Sequence, residues 1–203
     1  MSYTTIDVIP QSAAVGAEIH GVDLAGELSN EQFTEVRDAF HEHGVIFFRD
    51  QKLSPEQHLA FARRFGAVNI NRFFTPVEGH PEIAEVLKEP DQKKNIGSVW
   101  HTDHSYDTAP ALGSALYGKE IPELGGDTLF ASMAAAFEAL SDGMKDTLRS
   151  MRAVHSSRHV FGPSRYAGEG SAEVAGRLGN PELATQDAVH PVVIRHPDTG
   201  RET

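Results

Sequence analysis

Residues 99–140 read VWHTDHSYDTAPALGSALYGKEIPELGGDTLFASMAAAFEAL. Two short pieces of this stretch carry most of its meaning: Trp100-His101-Thr102-Asp103 and Gly125-Gly126-Asp127-Thr128. On an extended segment, residues two apart project to the same face. His101 and Asp103 can therefore reach one ion while Trp100 and Thr102 face the other way. A set of two histidines and one carboxylate leaves three coordination positions open, which suits non-haem Fe(II) and oxygen activation. Spacing alone is a weak signal. With 11 His and 12 Asp in the chain, chance yields roughly 0.6 such matches. A second one exists, His196-Pro197-Asp198. It lies in a turn signal and reads as structural.

The flanking sequence predicts a chain of mixed elements. Residues 4–9 and 15–19 are short extended candidates. Ser29-Asn30-Glu31-Gln32 is a capping box, followed by Phe33, Val36 and Phe40 at helical spacing and by Gly44 as the C-terminal cap. Val45 to Phe48 reads as a buried strand. Ser54-Pro55-Glu56-Gln57 opens a second helix with Pro at its first position. Ile83 to Leu87 and Val99 to Asp103 read as short extended pieces. Leu112 to Ile121 and Thr128 to Phe130 read as strands on either side of the Gly-Gly turn. Met133 to Leu140 and Asp142 to Met151 read as helices, with a further short helix near 172–178. Ala153 to Ser157 and His190 to Arg195 read as strands, and Pro197 to Gly200 as a turn leading into a partner strand. Strands and helices do not alternate regularly. The pattern favours a mostly antiparallel β core with flanking helices, an α+β class, as one domain over 1–203.

Size and composition narrow the function classes. The 203 residues carry a net charge of −11 and no cysteine. Disulfides and cysteine-based zinc or iron–sulfur sites are excluded. The acidic balance argues against a nucleic-acid partner. No apolar run reaches the ~18 residues of a membrane span, and Met1 to Gln11 has no signal-peptide pattern, so a cytoplasmic location is expected.

The stretch from Val99 to Leu140 resembles the taurine dioxygenase and 2,4-dichlorophenoxyacetate dioxygenase (TauD/TfdA) family. So do GAEIHGVDL at 16–24, HGVIFFRDQKLSPEQHLAFARRFG at 43–66 and HPVVIRHPDTGR at 190–201, in family order. The resemblance implies a double-stranded β-helix (jelly roll) and an Fe(II)-dependent dioxygenase that uses O2 and 2-oxoglutarate and releases succinate and CO2. It implies His101 and Asp103 as iron ligands and Thr128 as a hydrogen-bond donor to a 2-oxoglutarate carboxylate. It places Asn71 and Phe74 where taurine-oxidising members carry a His and a Tyr on the sulfonate, so taurine itself is a poor guess. His104 is expected to face substrate and Phe161 to line the pocket, whereas Arg158 and His159 default to solvated surface. The substrate class implied is a small anionic molecule: a sulfonate, a sulfate ester, or an aryloxy or carboxylic acid.

Family members complete the site with a distant third ligand, a His, and an Arg for 2-oxoglutarate. His190 and Arg201 have a suitable spacing, yet HPVVIRHPDTGR resembles an earlier landmark. The expectation is therefore that these two groups and the closing strands of the jelly roll are missing from the chain, as in a partial copy of a longer sequence. The rival from another class is a catalytically inactive remnant that serves as a binding module. Its open sheet edge would suit a homo-oligomer. A more distant rival uses His155, His159 or His190 as third ligand for another metal.

Overall fold

The structure is a computed structural model and describes residues 2–93, 95–163 and 178–203. In chain order its elements are β1 (Asp7–Pro10), β2 (Ala17–His20), α1 (Asn30–His43), β3 (Ile46–Phe47), α2 (Pro55–Arg63), β4 (Pro76–Val77), β5 (His80–Ala84), α3 (Met133–Glu138), α4 (Asp142–Arg149), β6 (Arg152–Ser156), α5 (Arg158–Phe161) and β7 (Asp187–Pro191). No described helix is long and apolar enough to cross a membrane. The chain divides into two compact units: Met1–Gly66 with Ala115–Met151 and Pro191–Thr203, and Ala67–Ser114 with Arg152–His190.

The first unit is built around α1. The Ser29 side chain accepts from the Gln32 backbone N–H, and the Gln32 side chain reaches back to the Ser29 N–H. Such a cap is worth about 1 kcal/mol. Gly44 closes the helix in the left-handed conformation and donates to the Phe40 carbonyl at 2.8 Å. Val36 and Ala39 are fully buried against Ile6 and Ile19. Burying a side chain such as Val36 stabilises by about 1.5–3 kcal/mol. β1 pairs antiparallel with β2, Asp7 opposite His20, and β2 pairs in parallel with β3. Phe65 meets the rings of Phe33, Phe40 and Phe61 edge-on at 4.9, 5.8 and 5.4 Å. Glu35 ties the N-terminal strand to α1. Partial burial opposes its charge, but backbone and hydroxyl bonds from Thr5 and Thr4 win and hold its carboxyl down at about 2.

The terminal turn also folds as expected. Arg195 bridges Glu202 across it, and Ile194 and Thr203 exchange N–H···O bonds at 3.0 and 2.9 Å.

In the second unit, β4 and β5 form a small hairpin, and β6 pairs with β7. Phe73, Tyr106 and Ala184 form its buried cluster, with Phe74 and Phe161 packed on it. Ser157, fully buried, is satisfied by Gln186: its hydroxyl reaches Oε1 at 2.9 Å and its N–H donates to the carbonyl at 3.0 Å.

Several sequence expectations need correction. The described residues hold three small sheets, not one antiparallel β core, and the first of them is mixed. Leu112–Ile121 and Thr128–Phe130 are not strands. Their side chains explain why: Leu116, Ile121 and Leu129 are 72–79 % exposed, and no described strand pairs with them. A strand exists only as part of a hydrogen-bonded ladder, whatever its own propensity. Val99–Asp103 likewise has no ladder partner. The final strand ends at Pro191 instead of reaching Arg195. The short helix read near 172–178 lies almost wholly outside the described residues.

Candidate functional site

His101 and Asp103 come together. His101 Nε2 lies 3.3 Å from Asp103 Oδ1, and the two side chains are 50 % and 61 % exposed. The rest of the imidazole is also fixed. His101 Nδ1 lies 2.7 Å from the Val99 carbonyl oxygen. A carbonyl only accepts, so Nδ1 carries the proton and donates it. In the neutral ring Nε2 then keeps its lone pair and faces the Asp103 carboxylate, two acceptors that a cation between them would satisfy. A backbone carbonyl behind a histidine is the usual device for presenting a metal-ligating nitrogen. Two donors each about 2.1 Å from one ion and at right angles lie about 3 Å apart. The donor set therefore fits a divalent cation. Ser114 donates from Oγ to Asp103 Oδ2 at 3.2 Å and holds the carboxylate from its other side. Gly97, at φ +76°, packs under the ring; a Cβ there would lie 3.4 Å from His101 Cε1. Among the described residues, no third His, Asp or Glu joins this pair within 4.8 Å.

Thr128 belongs to the first unit and is exposed. The turn before it has Gly125 and Gly126 at φ +79° and +76°. Two consecutive left-handed residues explain the Gly-Gly pair.

The expected substrate residues of the second unit also converge. Asn71 Nδ2 lies 3.5 Å from His104 Nε2, and His104 Nδ1 lies 3.3 Å from Asp107 Oδ2. Phe161 stacks flat on Phe73, centroids 4.2 Å apart and planes 5° apart. Phe74 packs against the same cluster and bridges Leu178. The sequence reading missed Phe73, Tyr106 and Asp107. Phe73 is the buried partner of Phe161, with Phe74 beside it. Tyr106 lies in the turn that begins at Asp103, where no spacing rule places it beside His104. Burial, and then the charge of Asp107, push the Tyr106 phenol up to about 12. Arg158 is not a free cation: it pairs with Asp187 at 3.1 Å and donates to the Thr185 carbonyl. Bonds from Ser156 and Arg158 hold the Asp187 carboxyl below its usual range.

The other histidines have other work. His190 Nε2 donates to the Asp107 carbonyl at 3.0 Å, so that nitrogen offers no lone pair to an ion. Arg201 donates to the carbonyls of His41 and Glu42 at the end of α1. His41, His196 and Asp198 bring potential ligand atoms within 4.8 Å of one another. There, however, His196 Nδ1 accepts from the backbone N–H groups of Asp198 and Thr199 at 3.2 and 3.3 Å. Its lone pair serves the turn. Burial and nearby His41 hold this imidazole below its usual pKa.

Residues 7–203 match the family model described as "Taurine catabolism dioxygenase TauD, TfdA family". The chain is 36% identical over 209 residues to pentalenolactone F synthase of Streptomyces avermitilis, covering 95% of this chain and 67% of that protein. It is 31% identical over 205 residues to (S)-phenoxypropionate/alpha-ketoglutarate-dioxygenase of Sphingobium herbicidovorans, covering 97% and 69%. The crystal structure of a taurine dioxygenase from Burkholderia xenovorans superimposes with a TM-score of 0.72 at 30% identity, over 98% of this chain and 63% of that one. The chain thus spans about two thirds of the length of these relatives.

Proposed function

The chain belongs to the TauD/TfdA family, and from that premise we propose that it carries His101 and Asp103 as two donors of the iron site of a 2-oxoglutarate-dependent dioxygenase. The carrying observation is the bonding of His101. With Nδ1–H committed to Val99, the neutral ring turns an Nε2 lone pair toward Asp103 Oδ1 at 3.3 Å, two donor atoms placed for one cation. Fe(II), when bound with 2-oxoglutarate and O2, supplies the oxidising power, with succinate and CO2 as products. The protein's own residues hold and orient. Val99 and Ser114 fix the two donors, and Thr128 donates its hydroxyl to a carboxylate of 2-oxoglutarate. Asn71, Phe74, His104 and Phe161 form the substrate wall, with buried Phe73 stacked behind Phe161. The fold proposed is the family's double-stranded β-helix. The substrate proposed is a small anionic organic molecule: a sulfonate, a sulfate ester, or an aryloxy or carboxylic acid.

The test is anaerobic equilibrium dialysis of Fe(II) against the chain and its Asp103→Ala variant. Weak binding that disappears in the variant supports the reading; equal binding by both removes the pair from the site. A screen of sulfonates, sulfate esters and aryloxy acids for substrate-dependent succinate then narrows the substrate class.

A further inference from the structure

Four groups of the second unit form a chain of hydrogen bonds whose direction is fixed at both ends. At one end, Asn71 Oδ1 accepts from the Phe73 backbone N–H at 2.9 Å. That bond sets the amide, so Nδ2, a donor, is the atom turned to His104 Nε2. At the other end, the Asp107 carboxylate, an acceptor, faces His104 Nδ1. The Tyr106 hydroxyl also lies 3.5 Å from Nδ1, but a phenol oxygen accepts as well as donates and so imposes no direction. Asn71 and Asp107 do, and the neutral ring satisfies both with a proton on Nδ1 and a lone pair on Nε2. The opposite tautomer sets two acceptors against each other at Asp107 and two donors at Asn71.

Asp107 is itself held. Its N–H donates to the His104 carbonyl at 3.0 Å, its Oδ1 lies 3.6 Å from Arg72 Nη2, and its carbonyl accepts from His190. His104 sits at φ +54°, a left-handed conformation that a residue with a Cβ adopts at a cost. Both side chains are largely buried, with 16–20 % of their surface exposed.

We infer that Asp107 is a positioning residue: through the His104 ring it fixes the orientation of the Asn71 carboxamide within the substrate wall. His104 then supports Asn71 and has no N–H left to offer an anion. The substrate role of Asn71 rests on the function proposed above, but the tautomer of His104 can be read whether or not that role holds.

The experiment uses the uniformly 15N-labelled 203-residue chain, with long-range 1H–15N correlation for the imidazoles and amide exchange for the backbone, the His104 signals being identified by their loss in His104→Gln. The expected result is a protonated Nδ1 and an unprotonated Nε2. In Asp107→Ala the ring shifts toward Nε2–H, and the Phe73 amide exchanges about tenfold faster as the bond from Asn71 loosens. Asp107→Asn, which keeps an amide oxygen for the same N–H, retains both the tautomer and the slow exchange. A purely structural role for Asp107 would lower stability in both variants and leave the tautomer alone. An Nε2–H ring in the unaltered chain overturns the inference, as does an Asp107→Ala variant with unchanged tautomer and exchange. Should Asp107→Ala fail to fold, the tautomer of the unaltered chain decides.

Discussion

The chain contains His-x-Asp twice, at His101-Thr102-Asp103 and at His196-Pro197-Asp198, and the two copies are wired in opposite senses. In the first, His101 Nδ1 faces a carbonyl oxygen at 2.7 Å and donates. In the second, His196 Nδ1 faces two backbone N–H groups at 3.2 and 3.3 Å and accepts. The first arrangement leaves a lone pair on Nε2 beside a carboxylate; the second puts the proton there. Identical residue types at identical spacing thus give one nitrogen ready for a cation and one ready for a turn. The neighbours that decide between them are backbone atoms.

The contrast is most directly broken by exchanging the losses. His101→Ala should abolish Fe(II) retention in equilibrium dialysis, while His196→Ala leaves it intact. Loss in both, or in neither, means that the wiring does not separate the motifs. Next in size, Thr128→Val should weaken 2-oxoglutarate binding to the Fe(II)-loaded protein. A hydrogen bond to a charged group is worth about 1.5–3 kcal/mol, so competition dialysis should register a drop of about ten- to a hundredfold. Unchanged affinity would detach Thr128 from the first motif's chemistry. Ser114→Ala removes the hydroxyl behind Asp103. Groups that support a metal ligand typically matter by 10–100-fold, and for this exposed carboxylate the lower end, about tenfold in metal affinity, is expected.

The smallest effect belongs to the second motif. The folded-state pKa of His196 is depressed, by burial first and by His41 next, against the pull of Asp198. The unfolded chain therefore binds the proton more readily. The stability this neutral ring contributes is present above about 6.5 and is lost as pH falls from there through the folded value. Urea unfolding at several pH values should show that loss, and His196→Asn should remove its share. An identical pH profile in the variant would show that His196 does not titrate with folding.

Much of the local structure was legible in the residues. Ser29 with Gln32 and Ser54 with Gln57 mark both long helix starts, because a cap is a contact between residues three apart. The family landmarks were legible for the same reason: each is a short run with its own spacing. The lack of strands at 112–121 and 128–130 was not, because β propensity becomes structure only when a ladder partner is present. Phe73 was missed because its stacking partner, Phe161, lies far along the chain.

The sequence by itself determined the composition of the candidate site, namely which imidazole, which carboxylate and which hydroxyl. Tertiary structure decided what the residues could not show, the tautomer of His104. A tautomer is chosen by the atoms facing the two nitrogens. For His104 these come from Asn71 and Asp107, from separate segments, and no spacing rule records that meeting.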